Sequence, residues 1–236
     1  DAMASDKTMS GTLYGVGVGP GDPELMTVKA WRLISTAKII AYLAANGSES
    51  TARAIAQPFL PDDAVEIAID MPMRVEREPA QAAYDAGANR IAAHLEGGDD
   101  VVMLCEGDPF FYGSFMYVFE RLAQHFETIV VPGVTSITAC AAQLGQPLCE
   151  RDDVLKVLPA TLDADRLRDE LQTCQSAAII KVGRHFGKVK QVLSALDLIT
   201  RATAVSKATQ DQQKIERVED IPGDALPYFT TIIVRV

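Results

Sequence analysis

Three glycine- and proline-rich loops, each directly after a short apolar run, constrain the fold of this 236-residue chain more than any other feature. The first, Gly15-Val-Gly-Val-Gly-Pro-Gly-Asp-Pro23, ends the run 13–18. The second, Glu106-Gly-Asp-Pro-Phe-Phe-Tyr-Gly-Ser114, follows the run 101–105, and the third, Val131-Pro-Gly-Val-Thr-Ser136, ends the run 128–131. Further β-branched or apolar runs at 38–43 and 65–69 alternate with segments of helical period at 25–36 and 79–95. Such βα alternation implies a mainly parallel sheet with helices on its faces. The loops then leave the C-terminal ends of the strands and converge on one rim, where ligands of such sheets sit.

This first α/β domain is expected to span residues 11–147, with 1–10 a disordered tail outside the fold. After the turn-like, charged stretch 145–153, a smaller second α/β domain is expected over 148–236. Its strands are predicted at 154–158, 177–182, 203–206, 214–218 and 229–236, with a helix starting near Asp163. The last two are long and β-branched enough to pair as antiparallel neighbours. The short connection brings the two domains together, so the cleft between them is the expected binding site.

A formal net charge of −10 gives the surface no general attraction for nucleic acid or anionic lipid, which leaves a small molecule as the expected partner. No apolar run approaches the roughly 20 residues of a membrane span, and the N-terminus lacks the apolar core of a signal peptide, so a cytoplasmic protein is expected. Cys105, Cys140, Cys149 and Cys174 show no CxxC spacing, and His94, His125 and His185 no i, i+4 pairing, so no metal site is legible. The apolar settings of Cys105 and Cys140 suit buried free thiols.

The first loop does not fit the GxGxxG dinucleotide fingerprint. Counting from Gly15, Gly17 or Gly19, the third glycine position holds Pro20, Asp22 or Glu24, and the second apolar run ends without a ribose-binding acid. The phosphate loop GxxxxGK[ST] is absent as well. What the loop offers is a rigid turn bare of side chains, fixed by Pro20 and Pro23, along which backbone can approach a flat ligand. In the second loop, Asp108 either accepts hydrogen bonds from a ligand or makes an Asx turn or helix cap, while Phe110, Phe111 and Tyr112 supply apolar surface. In the third, Thr135 and Ser136 either cap the following helix or face the ligand.

The order YxVGxGPGDPELxT, EGDPFFYGS, VPGVTS and PLxxRDD resembles the tetrapyrrole (corrin/porphyrin) methyltransferases over about residues 11–236. That resemblance implies two α/β domains, S-adenosyl-L-methionine in the cleft between them, and a homodimer. It implies cofactor contacts at Pro20, Glu106, Gly107, Asp108, Phe111, Thr135 and Ser136, and in the second domain at Val182, in the place of a methionine, and Ala208. Most members have Gly-Gly-Asp-Pro where this chain has Glu106-Gly107-Asp108-Pro109. The variant here, with the stretch 151–161, is most similar to the branch that methylates precorrin-2 at carbon 20 in cobalamin synthesis.

Methyl transfer from a sulfonium releases a neutral leaving group, so positioning supplies much of the advantage and neither a metal nor a nucleophile–base dyad is needed. The acceptor carbon must later lose a proton, for which Glu106 and Tyr112 are the candidate catalytic groups. A substrate rich in carboxylates requires local cations in so acidic a chain. The candidates are Arg151, Arg184 and His185, with Arg74, Arg77, Lys181 and Lys188 behind them. A cobalt-containing acceptor, another tetrapyrrole methyltransferase or a non-catalytic nucleotide-binding module are the alternatives.

Overall fold

The computed structural model describes residues 10–45, 47–72 and 77–236, with the backbone alone for 77–79. The chain divides into two compact units, one up to Val134 and one from Thr135 to Val236.

In the first unit, β1 (Leu13–Gly17), α1 (Val28–Ser35), β2 (Ile39–Ala45), α2 (Thr51–Ala56), β3 (Val65–Met71), α3 (Arg77–Glu96), β4 (Val101–Cys105), α4 (Phe115–Leu122) and β5 (Thr128–Val131) follow in order. All pairings are parallel and the strand order is β3-β2-β4-β1-β5. Strand β4 shows why its sequence is apolar throughout. Val101, Met103 and Cys105 pack with residues of α3 and α4 on one face, while Val102 and Leu104 pack with residues of α1 and α2 on the other. Helix α1 starts later than the run 25–36 suggests, because a short 3₁₀ turn occupies Pro23–Leu25 and the Thr27 hydroxyl caps the helix by accepting from the Ala30 N–H at 3.1 Å.

The second unit contains α5 (Ser136–Leu144), β6 (Leu155–Pro159), α6 (Ala164–Leu171), β7 (Ser176–Ile180), α7 (Phe186–Ala195), β8 (Ala202–Ser206), β9 (Lys214–Arg217) and β10 (Thr230–Arg235). Asp163 caps α6, accepting from the Arg166 N–H at 2.8 Å. One face of the sheet carries the core, in which Ile179, Ala204, Ile232 and Val234 meet Leu167, Leu171, Phe186, Val189 and Leu193. Helix α5 packs on β10 and so goes with this unit, although the sequence reading placed the division after it, at 147/148.

The strand order β6-β7-β10-β8-β9 corrects one expectation. The strands predicted at 214–218 and 229–236 are not neighbours, because β8 lies between them and pairs antiparallel with both. All four residues of β9 are exposed, which suits an edge strand, whereas five of the six in β10 are buried, which demands a central one. As β10 is antiparallel to β7 and to β8, the C-terminal ends of β7 and β8 share one edge of this sheet with the start of β10.

Candidate functional site

In the first unit the strand order makes β4, β1 and β5 consecutive, so the three glycine loops leave one edge side by side. They are fastened backbone to backbone. Gly19 and Gly107 form an antiparallel bridge, with the Gly107 N–H donating to the Gly19 carbonyl at 2.8 Å and the Gly19 N–H to the Gly107 carbonyl at 3.3 Å. A Cβ on Gly17 would stand 2.6 Å from the Gly107 oxygen and 2.7 Å from the Gly133 nitrogen, and one on Gly133 only 2.1 Å from the Gly107 oxygen. These approaches are closed to any side chain. Gly17 and Gly133 thus serve the packing of loop on loop, and Gly15 makes room for the Phe115 ring.

Asp108 acts in the same assembly. Its Oδ1 accepts from the Phe110 N–H at 2.9 Å, an Asx turn, and its Oδ2 accepts from the Gly133 N–H at 3.0 Å. Both carboxylate oxygens therefore hold the rim together. Pro20 is buried, and Gly107 adopts the left-handed region at φ +61°. Glu106 continues β4 directly, and desolvation pushes its carboxyl up to about 8, so it is largely protonated at neutral pH. Tyr112 is exposed, packs edge-on to Phe111 with ring centres 5.2 Å apart, and sits at φ +54°, a conformation that non-glycine residues rarely hold.

In the second unit, Thr135 precedes α5, but its hydroxyl caps no backbone amide and instead lies 3.1 Å from that of Thr138. Ser136 is exposed as the first helical residue. Val182 is fully buried in the core, and its carbonyl accepts from the His185 N–H at 2.7 Å. Ala208 is buried as well, between Lys207 and Thr209 at φ +50° and +66°. Lys181 shares that conformation at φ +56°. Three of the five left-handed non-glycine residues of this unit thus lie in the two loops that follow β7 and β8, the others being Arg151 and Asp197.

Arg184 is exposed beside these loops, whereas burial first, and then the charges of Lys188 and Arg184, hold His185 below its ordinary range. His185 is therefore a neutral donor or acceptor at pH 7 rather than a cation. Lys188 turns its ammonium to the Leu162 carbonyl. Arg151 is exposed at φ +47° in the turn before β6. Since β6 is parallel to β7, that turn lies at the sheet edge opposite Arg184, and the structure does not bring the two together. Arg74 and the side chain of Arg77 lie outside the described residues. The sequence carries no signal for Tyr228 and Phe229, which sit edge-to-face at 5.0 Å before β10, both exposed, on the edge that bears Arg184 and Ala208. Their placement becomes visible only once β10 is known to lie between β7 and β8.

The burial of the thiols agrees with the sequence: Cys105, Cys140 and Cys174 are free and buried, and Cys149 is free and exposed. Among the described residues no helix is long and apolar enough to cross a membrane.

The sequence matches the tetrapyrrole (corrin/porphyrin) methylase family over residues 12–221. It is 41% identical over 229 residues to the cobalamin biosynthesis protein CobIJ of Mycobacterium tuberculosis, covering 93% of this chain and 45% of that relative, so the chain spans less than half of that protein's length. It is 38% identical over 232 residues to the precorrin-2 C(20)-methyltransferase of Sinorhizobium sp, covering 95% of each. Among solved structures, the uroporphyrin-III C-methyl transferase from Thermus thermophilus, complexed with S-adenyl homocysteine, superposes with a TM-score of 0.69 at 24% identity over 95% of this chain and 97% of the other. With its two α/β units and its match over most of its length, the chain belongs to the tetrapyrrole (corrin/porphyrin) methylase family.

Proposed function

We propose that this chain transfers the methyl group of S-adenosyl-L-methionine to carbon 20 of precorrin-2, giving precorrin-3A in cobalamin biosynthesis. The observation that carries the reading is the similarity to the Sinorhizobium precorrin-2 C(20)-methyltransferase along nearly the whole of both chains. By the habit of the family, the enzyme is proposed to work as a homodimer in the cytoplasm.

The residues present suit such a donor. The N-terminus of α5 has no side-chain cap, which leaves amides for a carboxylate. Pro20, Glu106, Gly107, Asp108 and Phe111 are proposed to hold the donor from the first unit, and Thr135, Ser136, Val182 and Ala208 from the second. Val182 and Ala208 would act through their backbone. When bound, the sulfonium supplies an activated methyl group and departs as a neutral thioether, so the contribution asked of the protein is alignment. A rim whose loops are interlocked at Gly17, Gly107 and Gly133 gives that alignment at little further ordering cost.

As the carbon–methyl bond forms at carbon 20, the carbon–hydrogen bond there must break. Glu106 in its ionised form, whose share grows towards pH 8, is proposed as the proton acceptor, since a carboxyl raised to about 8 binds a proton more firmly than an ordinary one; Tyr112 is the other candidate on the same loop. Arg184 would meet a substrate carboxylate as a cation and His185 as a neutral hydrogen-bonding group. Arg151, at the opposite edge of the second unit's sheet, would meet a different carboxylate.

The test is incubation with methyl-labelled S-adenosyl-L-methionine and precorrin-2, followed by carbon NMR of the product. A label at any position other than carbon 20, or transfer only to the cobalt-containing acceptor, overturns the assignment. Calorimetry against the donor, its demethylated product, NAD and ATP separates a methyltransferase from a nucleotide-binding module. Light scattering after size exclusion gives the oligomeric state, and a monomer would remove the dimer.

A further inference from the structure

The loop that follows β8 is held by a side chain that neither its composition nor its spacing marks as functional. Ala208 lies between two left-handed non-glycine residues, Lys207 and Thr209, a conformation that relaxes unless its surroundings hold it. Gln213 does the holding. Its Oε1 accepts from the strained Thr209 N–H at 2.6 Å, its own N–H donates to the Gln210 carbonyl at 2.9 Å, and the Gln210 N–H donates to the Lys207 carbonyl at 3.1 Å. Lys207 is tied in turn to the start of β10 through its N–H and the Phe229 carbonyl at 2.8 Å.

The other end of the Gln213 amide reaches across the unit. Its Nε2 donates to Oε1 of Gln143 at 3.0 Å, in the last turn of α5. That helix begins at Thr135 and Ser136 and packs on β10. A two-amide chain thus connects the helix whose first residues are proposed to hold the methyl donor with the loop whose Ala208 is proposed to hold it.

We propose that Gln213 and Gln143 are a positioning pair for the methyl donor, keeping the Lys207–Ala208–Thr209 backbone in register with α5. The inference rests on the assignment of Ala208, Thr135 and Ser136 as donor contacts. The chemistry of the pair gives a pattern that general loosening does not. An amide can present either its oxygen or its NH2 to a neighbour, so one glutamine of the pair can become a carboxylate and the other can rotate or stay to supply the donor. Two carboxylates have no donor between them and repel.

The experiment is calorimetry of S-adenosyl-L-methionine and S-adenosyl-L-homocysteine binding to the full chain. Gln213→Glu and Gln143→Glu are each expected to bind within about threefold of wild type, whereas the double variant weakens both ligands about tenfold. Gln213→Leu, which cannot accept from Thr209, is expected to match the double variant. Thermal unfolding of each variant supplies the comparison with stability. Additive losses in the two single variants, or a double variant that binds like wild type, would overturn the positioning pair. Should the wild-type chain bind neither ligand, the donor assignment itself fails, and the pair falls with it.

Discussion

Oδ2 of Asp108 accepts a hydrogen bond from the Gly133 N–H at 3.0 Å, joining two loops that are 25 residues apart in the chain. Its Oδ1 closes the turn to Phe110 at 2.9 Å, so one carboxylate sets both the shape of its own loop and its distance from the next. The bridge between Gly19 and Gly107 adds the third loop. An aspartate that by sequence either met a ligand or made a turn is thus an internal fastening of the rim, whatever else its remaining lone pairs accept.

Replacing Asp108 by Ala leaves the amides of Phe110 and Gly133 without their acceptor and should lower stability by about 1–3 kcal/mol. Donor affinity should fall with it, because the rim loses its register. Asp108→Asn keeps one carbonyl oxygen and should lie between the two. Chemical denaturation together with calorimetry checks both effects; wild-type stability combined with lost affinity would instead make Asp108 a ligand contact alone.

Gly133→Ala places a Cβ 2.1 Å from the Gly107 oxygen, a distance that forces backbone to move. The expected outcome is a destabilisation of about 2–4 kcal/mol and loss of donor binding. Gly145→Ala is the control for a glycine with open space around it. Its φ of +62° leaves a strain cost of about 1 kcal/mol, without effect on the rim.

Glu106 should make the enzyme depend on pH. Burial raises its carboxyl to about 8 from an unfolded value near 4.3. Between those values the folded chain binds a proton that the unfolded chain has released, so this group's contribution to stability declines as pH rises and levels off above about 8. The melting temperature of Glu106→Gln relative to wild type should therefore increase between pH 5 and pH 9. If Glu106 is also the proton acceptor, wild-type turnover should climb towards pH 8, and the variant should lose this limb and about 100-fold in rate.

Val182 gives the opposite pattern from Asp108. Its side chain is fully buried among Ile179, Phe186 and their neighbours, so Val182→Ala should cost about 1–2 kcal/mol of stability. Donor affinity should stay within about threefold of wild type if, as proposed, only its backbone meets the donor. A large affinity loss in a fully folded Val182→Ala protein would show that the side chain reaches the donor after all.

Much of the architecture was legible in the sequence because parallel strands covered on both faces read as unbroken apolar runs, as at 101–105. The pairing of the last strands was not. Five β-branched residues mark 230–235, and Ile215 among charged neighbours marks 214–217, but neither pattern says that β8 lies between the two strands. The same gap separated Arg151 from Arg184: both read as cations near strand ends, but strand direction puts them on opposite edges. Tyr228 and Phe229 gave no warning for that reason too, since their place beside Ala208 follows from β10 lying between β7 and β8.

The sequence by itself determined the alternation of strands and helices, the places where loops leave the strand ends, and the family, because each of these depends on residues close together in the chain. Only the tertiary structure decided what the loops do to one another. The Gly17, Gly107 and Gly133 contacts, the Asp108 bond to Gly133 and the Gln213 bond to Gln143 join segments from 25 to 116 residues apart. Such contacts are set by strand order and register, which local periodicity does not encode.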